Sequence, residues 1–361
     1  MTGASERPTQ AHPGIFDHHL DGGNRFDEHG IHFTEPHVPG LVRRNLSGGE
    51  NVDNVSFPGM VEGGYLGAYA NAYPAIDQAT GGRAPKPEEF WGEYRLQSGE
   101  YERAVALHPD IAALVGNRKE LESAISSGRI ALIKSIEGVH VSPDASGLET
   151  IERLAKDGVR SFGIVYNFDN VIGTPHQYEE DRGLSAFGRD VVDQLANMPG
   201  VVIDVSHASA KTASDTLKIA GTGKVIASHS SARGLNAHTR NLPDDVAIGI
   251  GERGIISVPL HSKFVKPERT RNDDSVKADV YDVIRHIMYL RDLLGGTENI
   301  GLGTDFGGMN TAATIFGLDN ISTFGQTLYD AMKKSGEFGE EEIEGIFGQN
   351  ALNHLAQSLP K

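Results

Sequence analysis

The sequence predicts an α/β fold organised as a (β/α)8 TIM barrel, and three observations carry that expectation. From Ile130 onward strand-like apolar runs alternate with amphipathic segments, the pattern of a parallel sheet with helical crossovers. Two earlier strand-like runs bring the count to eight over a chain of 361 residues, a length that suits one closed barrel. A doubly wound open sheet would announce a nucleotide through a glycine-rich first turn. Neither Gly-x-Gly-x-x-Gly nor a P-loop is found, and Gly301-x-Gly303 runs on into Thr304-Asp305-Phe306 instead.

In chain order, residues 1–13 are expected to be a flexible tail and residues 14–361 one barrel domain. The first strand is Phe16-Asp17-His18-His19-Leu20-Asp21-Gly22-Gly23. Side chains alternate along a strand, so Asp17, His19 and Asp21 share one face while His18 and Leu20 take the other. An imidazole two residues from a carboxylate, followed by a glycine pair that admits a ligand to the backbone, suits a divalent cation. Asn24 to Glu62 has no periodicity and is expected to be a long functional loop. The second strand covers Gly64 to Tyr69, a helix begins at Pro87 with Phe90, Tyr94, Leu96 and Tyr101 recurring at helix-like spacing, and a short helix covers Glu120 to Ser126.

The regular part then supplies strands at Ala131–Glu137, Arg160–Tyr166, Val201–Ser206, Val225–Ser228, Ile255–Pro259 and Ile300–Gly303. Helices are expected at Leu148–Lys156, Ala186–Leu195, Ala210–Ile219, Asp244–Glu252, Val276–Leu294 and Ile321–Lys334, with a closing helix from Glu340 to Ser358.

Composition narrows the chemistry. A net charge of -16, from 33 basic against 49 acidic residues without a basic run, argues against a nucleic-acid partner. With no cysteine, disulfides, thiolate catalysis and Cys-type zinc or iron–sulfur sites are excluded, so any metal must be held by His and carboxylates. Met1 to Gly14 lacks the apolar core of a signal peptide, and no apolar run approaches the roughly 20 residues that span a bilayer. The expected setting is the cytoplasm, with no membrane association.

Active sites of such barrels sit at the C-terminal strand ends. The strand ends here deliver His19 and Asp21, Glu137, Tyr166-Asn167, Asp204 with His207, His229, and Asp305. A lone histidine after a strand is usually an ordinary hydrogen-bonded loop residue. Three histidines and three carboxylates on one rim, however, match the needs of a hydrolytic site holding two divalent ions.

These residues fall in motifs that resemble the membrane (renal) dipeptidase family, zinc peptidases with an amidohydrolase-type barrel. The motifs are Asp17-x-His19-x-Asp21, Ile136-Glu137-Gly138, Gly183-Leu184-Ser185-x-Phe187-Gly188, Ile203-Asp204-x-Ser206-His207, Ser228-His229-Ser230-Ser231-Ala232, Arg240-Asn241-x-Pro243-Asp244-Asp245 and Gly303-x-Asp305-Phe306. The resemblance runs from Asp17 to about Leu355. It implies that His19 and Asp21 hold one metal, that Glu137 bridges two, and that His207 and His229 hold the second. Asp305 would manage the proton and face the substrate's amino end, and Arg240 would grip the free carboxylate of a dipeptide. Two divalent ions, most often zinc, and a homodimer are implied in the same way, although His plus carboxylate also accommodates manganese, cobalt or iron.

Two positions depart from the best-known members. Tyr166 stands where they have a histidine that polarises the substrate carbonyl, and a bacterial branch carries a similar Tyr166-Asn167-x-x-Asn170 pattern. Gly307 stands where they have a second aspartate. The expected function is metal-dependent hydrolysis of short peptides, including dipeptides with a D-residue at the C-terminal side, with Asp305 and Tyr166 catalytic. A related hydrolase of a lactone, β-lactam or N-acyl amino acid and a silent barrel are the alternatives. Asp204 is expected to orient His207 or nearby backbone, while at least two of His18, His140 and His238 should be ordinary polar residues.

Overall fold

The structure is a computed structural model that describes residues 11–25, 32–39, 41–44, 50–75, 83–221, 223–273 and 275–361. Eight parallel strands form the barrel: β1 (Ile15–Leu20), β4 (Tyr65–Ala72), β6 (Ile130–Glu137), β7 (Ser161–Gly163), β8 (Val202–Asp204), β9 (Val225–Ile226), β10 (Ile256–Val258) and β11 (Ile300–Leu302). Their order is β10-β11-β1-β4-β6-β7-β8-β9, each strand beside its successor in the chain. A parallel bridge between Ala227 and Ile256 joins the two ends of that series, so the ring closes. The extra strand β5 (Ala112–Leu114) pairs with the first half of β6, on the side that β7 takes over further along.

Helices α2 (Pro87–Leu107), α3 (Arg118–Ser126), α4 (Ala145–Lys156), α5 (Ala186–Asn197), α6 (Ala210–Ala220), α7 (Asp244–Gly251), α9 (Val280–Leu294) and α10 (Phe324–Ser335) cover the outside. Most start where the sequence puts a polar cap. Asn117, Asp144, Ser185, Ser209 and Asp279 each accept a backbone N–H of the first turn, satisfying a donor the helix itself cannot pair. Asp279 and Asp282 cap one another reciprocally, which is why α9 starts at Val280 rather than at Val276 as expected.

Three further expectations need correction. Asn24–Glu62 is not a plain loop: its described residues contain the antiparallel pair β2 (Val42–Arg44) and β3 (Glu50–Val52), then helix α1 (Phe57–Glu62). Arg43 lies 2.8 Å from the buried Asp53 carboxylate, and Ser56 caps Gly59, local polar pairings that leave no hydrophobic period to read. The closing helix is not continuous either. It runs as α11 (Glu340–Glu344), a π turn over Gly345–Gln349 and α12 (Asn350–Ser358). A Cβ on Gly348 would lie 2.7 Å from the Gly14 carbonyl, so the widened turn seats a glycine against the start of β1. Of the expected tail, residues 1–10 lie outside the described residues, whereas His12 is buried with its ring 5.9 Å from Phe347.

Outside the barrel wall a buried cation ties two helices to β6. Lys134 reaches Glu102 on α2 at 2.6 Å and Asp157, after α4, at 2.8 Å, and Arg95 and Tyr94 also contact Asp157. Burial pushes both carboxyls up, but hydrogen bonds from Lys134, with Arg95 on Glu102 and Tyr94 on Asp157, prevail and hold them below their ordinary values. A depressed native pKa contributes stability that is present above the unfolded value and lost as pH falls through the native one. Lys134→Met should therefore lower the urea midpoint at pH 7, and the gap from wild type should narrow below pH about 4. A gap that stays constant from pH 7 to pH 3 would show that packing, not charge, explains Lys134.

Candidate metal centre at the barrel mouth

The eight residues singled out in the sequence converge at the C-terminal ends of the strands. His19 and Asp21 close β1, Glu137 closes β6, Tyr166 follows β7, His207 follows β8, His229 and Arg240 follow β9, and Asp305 follows β11. Glu137 Oε1 is the hub. It lies 2.8 Å from His207 Nε2, 3.1 Å from His229 Nε2 and 3.6 Å from His19 Nε2. His19, Glu137 and His229 offer donor atoms within 4.8 Å of one another, and so do His19, Asp21 and Asp305.

Each imidazole is held by its other nitrogen. Asn167 Oδ1 accepts from His207 Nδ1 at 2.7 Å, which leaves the Nε2 lone pair directed at Glu137. Asp204 accepts the Ser228 hydroxyl, so the Ser228 oxygen can accept from His229 Nδ1 at 2.8 Å and from His19 Nδ1 at 3.3 Å. Asp204 also takes the backbone N–H groups of Ser206 and Ser228, at 2.9 and 3.0 Å. It thus orients neighbouring backbone as expected, and through Ser228 it orients His229 and His19 rather than His207.

The backbone is strained at two of these residues. His207 (φ 69°) and Asp305 (φ 64°) are the non-glycine residues with positive φ among those described. Such a conformation costs about 1–3 kcal/mol and persists where the surroundings enforce it. At Asp305 they do: its N–H bonds to the His19 carbonyl and its carbonyl accepts from Gly308. Gly308 is needed there, since a Cβ would lie 2.6 Å from both the Asp21 and the Asp305 carboxylates.

The electrostatics call for a cation. Burial disfavours charge on His19, yet the adjacent Glu137 and Asp21 carboxylates outweigh it and raise its pKa well above the ordinary value. Burial, then Arg240, pushes His207 down to about 4, and burial, then His19, drives His229 well down. Burial, reinforced by Asp21 and Glu137 against the pull of His19 and Arg240, pushes Asp305 up to about 8. The two Nε2 atoms of His207 and His229 lie 3.1 Å apart. Two lone pairs and a carboxylate oxygen pointing at one another are repulsive unless positive charge lies among them. The donor set of imidazole nitrogens and carboxylate oxygens therefore fits divalent metal ions.

Sequence reasoning missed several participants. Asn71 on β4 donates to Asp21 Oδ1 at 2.7 Å and sits 3.2 Å from His19 Nε2, while Ser135 holds its Oδ1. It carried no signal because a single asparagine inside a small-residue strand fits no motif. Asp17, in contrast, lies on the side of Tyr65, whose ring meets Phe324 of α10, and serves the wall. It accepts from Thr304 N, Thr304 Oγ1 and His19 N, tying β1 to the exit of β11, and the register shift between Asp17 and Leu20 breaks the expected alternation. His18 is buried, with Nδ1 3.3 Å from the Leu302 carbonyl, and His140 is buried beside Phe90 and Phe168. His238 is more than that, since its Nδ1 accepts the Arg240 N–H.

Both departures have a structural setting. Tyr166 packs 4.6 Å from the rings of Tyr73 and His207, and burial with neighbouring Tyr73 and Glu137 keeps its phenol protonated. Gly307 has φ +88°, and a Cβ would meet the Asp21 carbonyl at 2.6 Å, so this loop has no room for a side chain there.

A closed α/β barrel with this donor set at its mouth defines a metallohydrolase scaffold. The chain belongs to the membrane dipeptidase family (peptidase family M19), whose model matches residues 30–358. It is 30% identical over 271 residues to an uncharacterised dipeptidase of Schizosaccharomyces pombe, covering 72% of this chain and 63% of that one. To the dipeptidase aclJ of Aspergillus oryzae it is 32% identical over 244 residues, covering 65% and 54%. The match thus spans about half to two thirds of the length of these curated relatives. Among solved structures, a metallopeptidase from Rhodobacter sphaeroides liganded with a phosphinate mimic of L-Ala-D-Ala superposes with a TM-score of 0.78 at 21% identity, covering 96% and 99% of the two chains. The probable dipeptidase PvdM from Pseudomonas aeruginosa gives 0.77 at 17% identity, covering 96% of each. At these identities the structural likeness speaks for the fold.

Asn71→Ala removes a donor from Asp21 beside His19. It should weaken retention of divalent metal by about 10- to 100-fold, the usual effect of losing a group that orients a ligand. Competition against a chelator checks this, and unchanged retention would show that Asn71 serves only the strand.

Proposed function

We propose that the chain is a dipeptidase that hydrolyses the amide bond of short, free-ended peptides with two divalent ions, most readily zinc, at the barrel mouth. The observation that carries this reading is Arg240. Its side chain is buried and its Nη1 donates to Ser230 Oγ at 2.7 Å, while Nε and Nη2 are buried without a hydrogen-bond partner. Unpaired buried donors on a guanidinium are costly, and a substrate carboxylate would satisfy both at once in bidentate geometry. Bound there, a dipeptide is short enough for its amide to reach the Glu137 cluster.

His19 and Asp21 would hold one ion, His207 and His229 the other, with Glu137 between them. When bound, the ions supply acidification of water toward neutral pH and polarisation of a carbonyl. Asp305 takes the proton of the attacking water and returns it to the leaving nitrogen, a transfer suited to a carboxyl whose burial raises its proton affinity. The protonated Tyr166 phenol donates toward the oxygen that gains charge in the tetrahedral state, as a neutral donor in place of an imidazolium. With position 307 closed to side chains, the amino end of the substrate falls to Asp305.

Elemental analysis of chelator-free protein should give about two ions per chain, and a panel of L-L and L-D dipeptides should be cleaved. Asp305→Asn should retain metal but lose kcat by about 10²- to 10⁴-fold. Near-normal turnover in that variant would remove Asp305 from proton transfer. Arg240→Ala should act mainly through KM on substrates with a free carboxylate and spare amides that lack one. An equal loss on both would reject the carboxylate role.

A further inference from the structure

Beside the metal centre lies a cavity of about 630 Å³, lined by Asn167, His176, His238, His261, Lys263 and Phe264 among others. Asn167 and His176 connect it to the catalytic side: Asn167 Oδ1 contacts both His207 Nδ1 at 2.7 Å and His176 Nε2 at 3.1 Å. Arg240 borders it, since its backbone N–H bonds to His238 and its guanidinium stands 5.7 Å from the Phe264 ring. A substrate whose carboxylate sits on Arg240 would direct the side chain of its C-terminal residue here.

Among the described residues, the charged side chains that line the cavity are the cations Lys263 and Lys266, with no Asp or Glu, in a chain with 49 acidic residues and a net charge of -16. Lys263 is exposed at its edge and makes no ion pair among the described residues. Arg240, Lys263, Arg233 and Arg271 all act on His238, and Arg240 and Lys263 act on His261. His261 Nδ1 is buried without a partner. Burial, with Arg240 behind it, pushes His261 down to about 3, so it enters as a neutral donor. Phe264, stacked on His261 at 3.9 Å, supplies an apolar wall of limited extent.

A concave site edged by Lys263, which has no ion pair among the described residues, with Arg240 bordering it and a spare buried ring nitrogen on His261, suits an anion. We propose that this cavity is the pocket for the C-terminal residue of the substrate and that it selects an acidic side chain, making aspartyl- or glutamyl-terminated dipeptides the preferred substrates, with Lys263 as a specificity residue. This inference rests on the dipeptidase reading and adds the identity of the side chain.

The test uses matched pairs that differ in charge but hardly in shape: Ala-Glu against Ala-Gln and Ala-Asp against Ala-Asn, each with L and D configuration at the second residue, plus Ala-Phe. The metal-loaded enzyme should favour the acid over its amide by about tenfold or more in kcat/KM, chiefly through KM, the scale of one charge-assisted hydrogen bond. Free glutamate should compete better than free glutamine by a similar factor. Lys263→Met should bring the acid-to-amide ratio toward one, and Lys263→Glu should invert it. Cleavage of acid and amide at equal efficiency, or a preference for Ala-Phe, would overturn the acidic pocket and leave the dipeptidase reading standing. Cleavage of none of the panel would overturn both.

Discussion

The barrel mouth is arranged around one buried carboxylate, Glu137, and its need for positive charge. Three imidazole nitrogens lie within 3.6 Å of its Oε1, and Asp21 and Asp305 crowd the same rim. Taking such groups out of water is unfavourable unless the charge is compensated. The protein supplies part of the compensation by raising the proton affinity of His19 and Asp305. The donor set suits divalent cations for the remainder, and the neighbouring polar structure fixes ring orientation rather than adding cations. Asn167, Ser228 and Asp204 each commit an Nδ1 atom or a loop so that three Nε2 atoms face inward.

The architecture was largely legible because a barrel writes each strand and helix locally. Apolar runs and capped amphipathic segments recur from Ile130 onward, and the structure reproduces each of those strands, most of them shorter than expected while β6 keeps its length to Glu137. His207 and Asp305, just beyond β8 and β11, adopt positive φ, which no strand sustains, so the chain leaves the sheet before these candidate site residues. What stayed hidden was non-periodic: the hairpin β2–β3, helix α1 and the π turn before α12, all set by tertiary contacts or single polar pairs.

The site divided in the same way. Histidines and carboxylates placed just after apolar runs were visible, and all of them meet. Asn71, His176 and His261 were not, because an asparagine or histidine in a strand or long loop acquires meaning only from what it faces; Asn167 was visible at a strand end, but not its bond to His207. Asp17 shows the converse: alternation put it on one face with His19 and Asp21, whereas its acceptors are consumed by Thr304, Tyr65 and His19 donors and the register shifts between Asp17 and Leu20.

The two departures from the family pattern bear on each other. Closing position 307 to side chains lets the loop after β11 pack against the Asp21 backbone, while Asn54 and Asn51 bond Gly307 from the β3 region. In the same loop Asp305 keeps its strained conformation, and the Asp305 and Asp21 carboxylates meet over Gly308, where a Cβ would lie 2.6 Å from each. Tyr166, across the centre, adds a donor without adding charge, since its phenol remains protonated. On the proposed function, a phenol there leaves the negative field of Glu137 and Asp305 to the bound ions, where a histidine would compete for it. The cations Arg240 and Lys263 lie instead around the side cavity, so the charge proposed to select the substrate is separate from the charge at the metal centre.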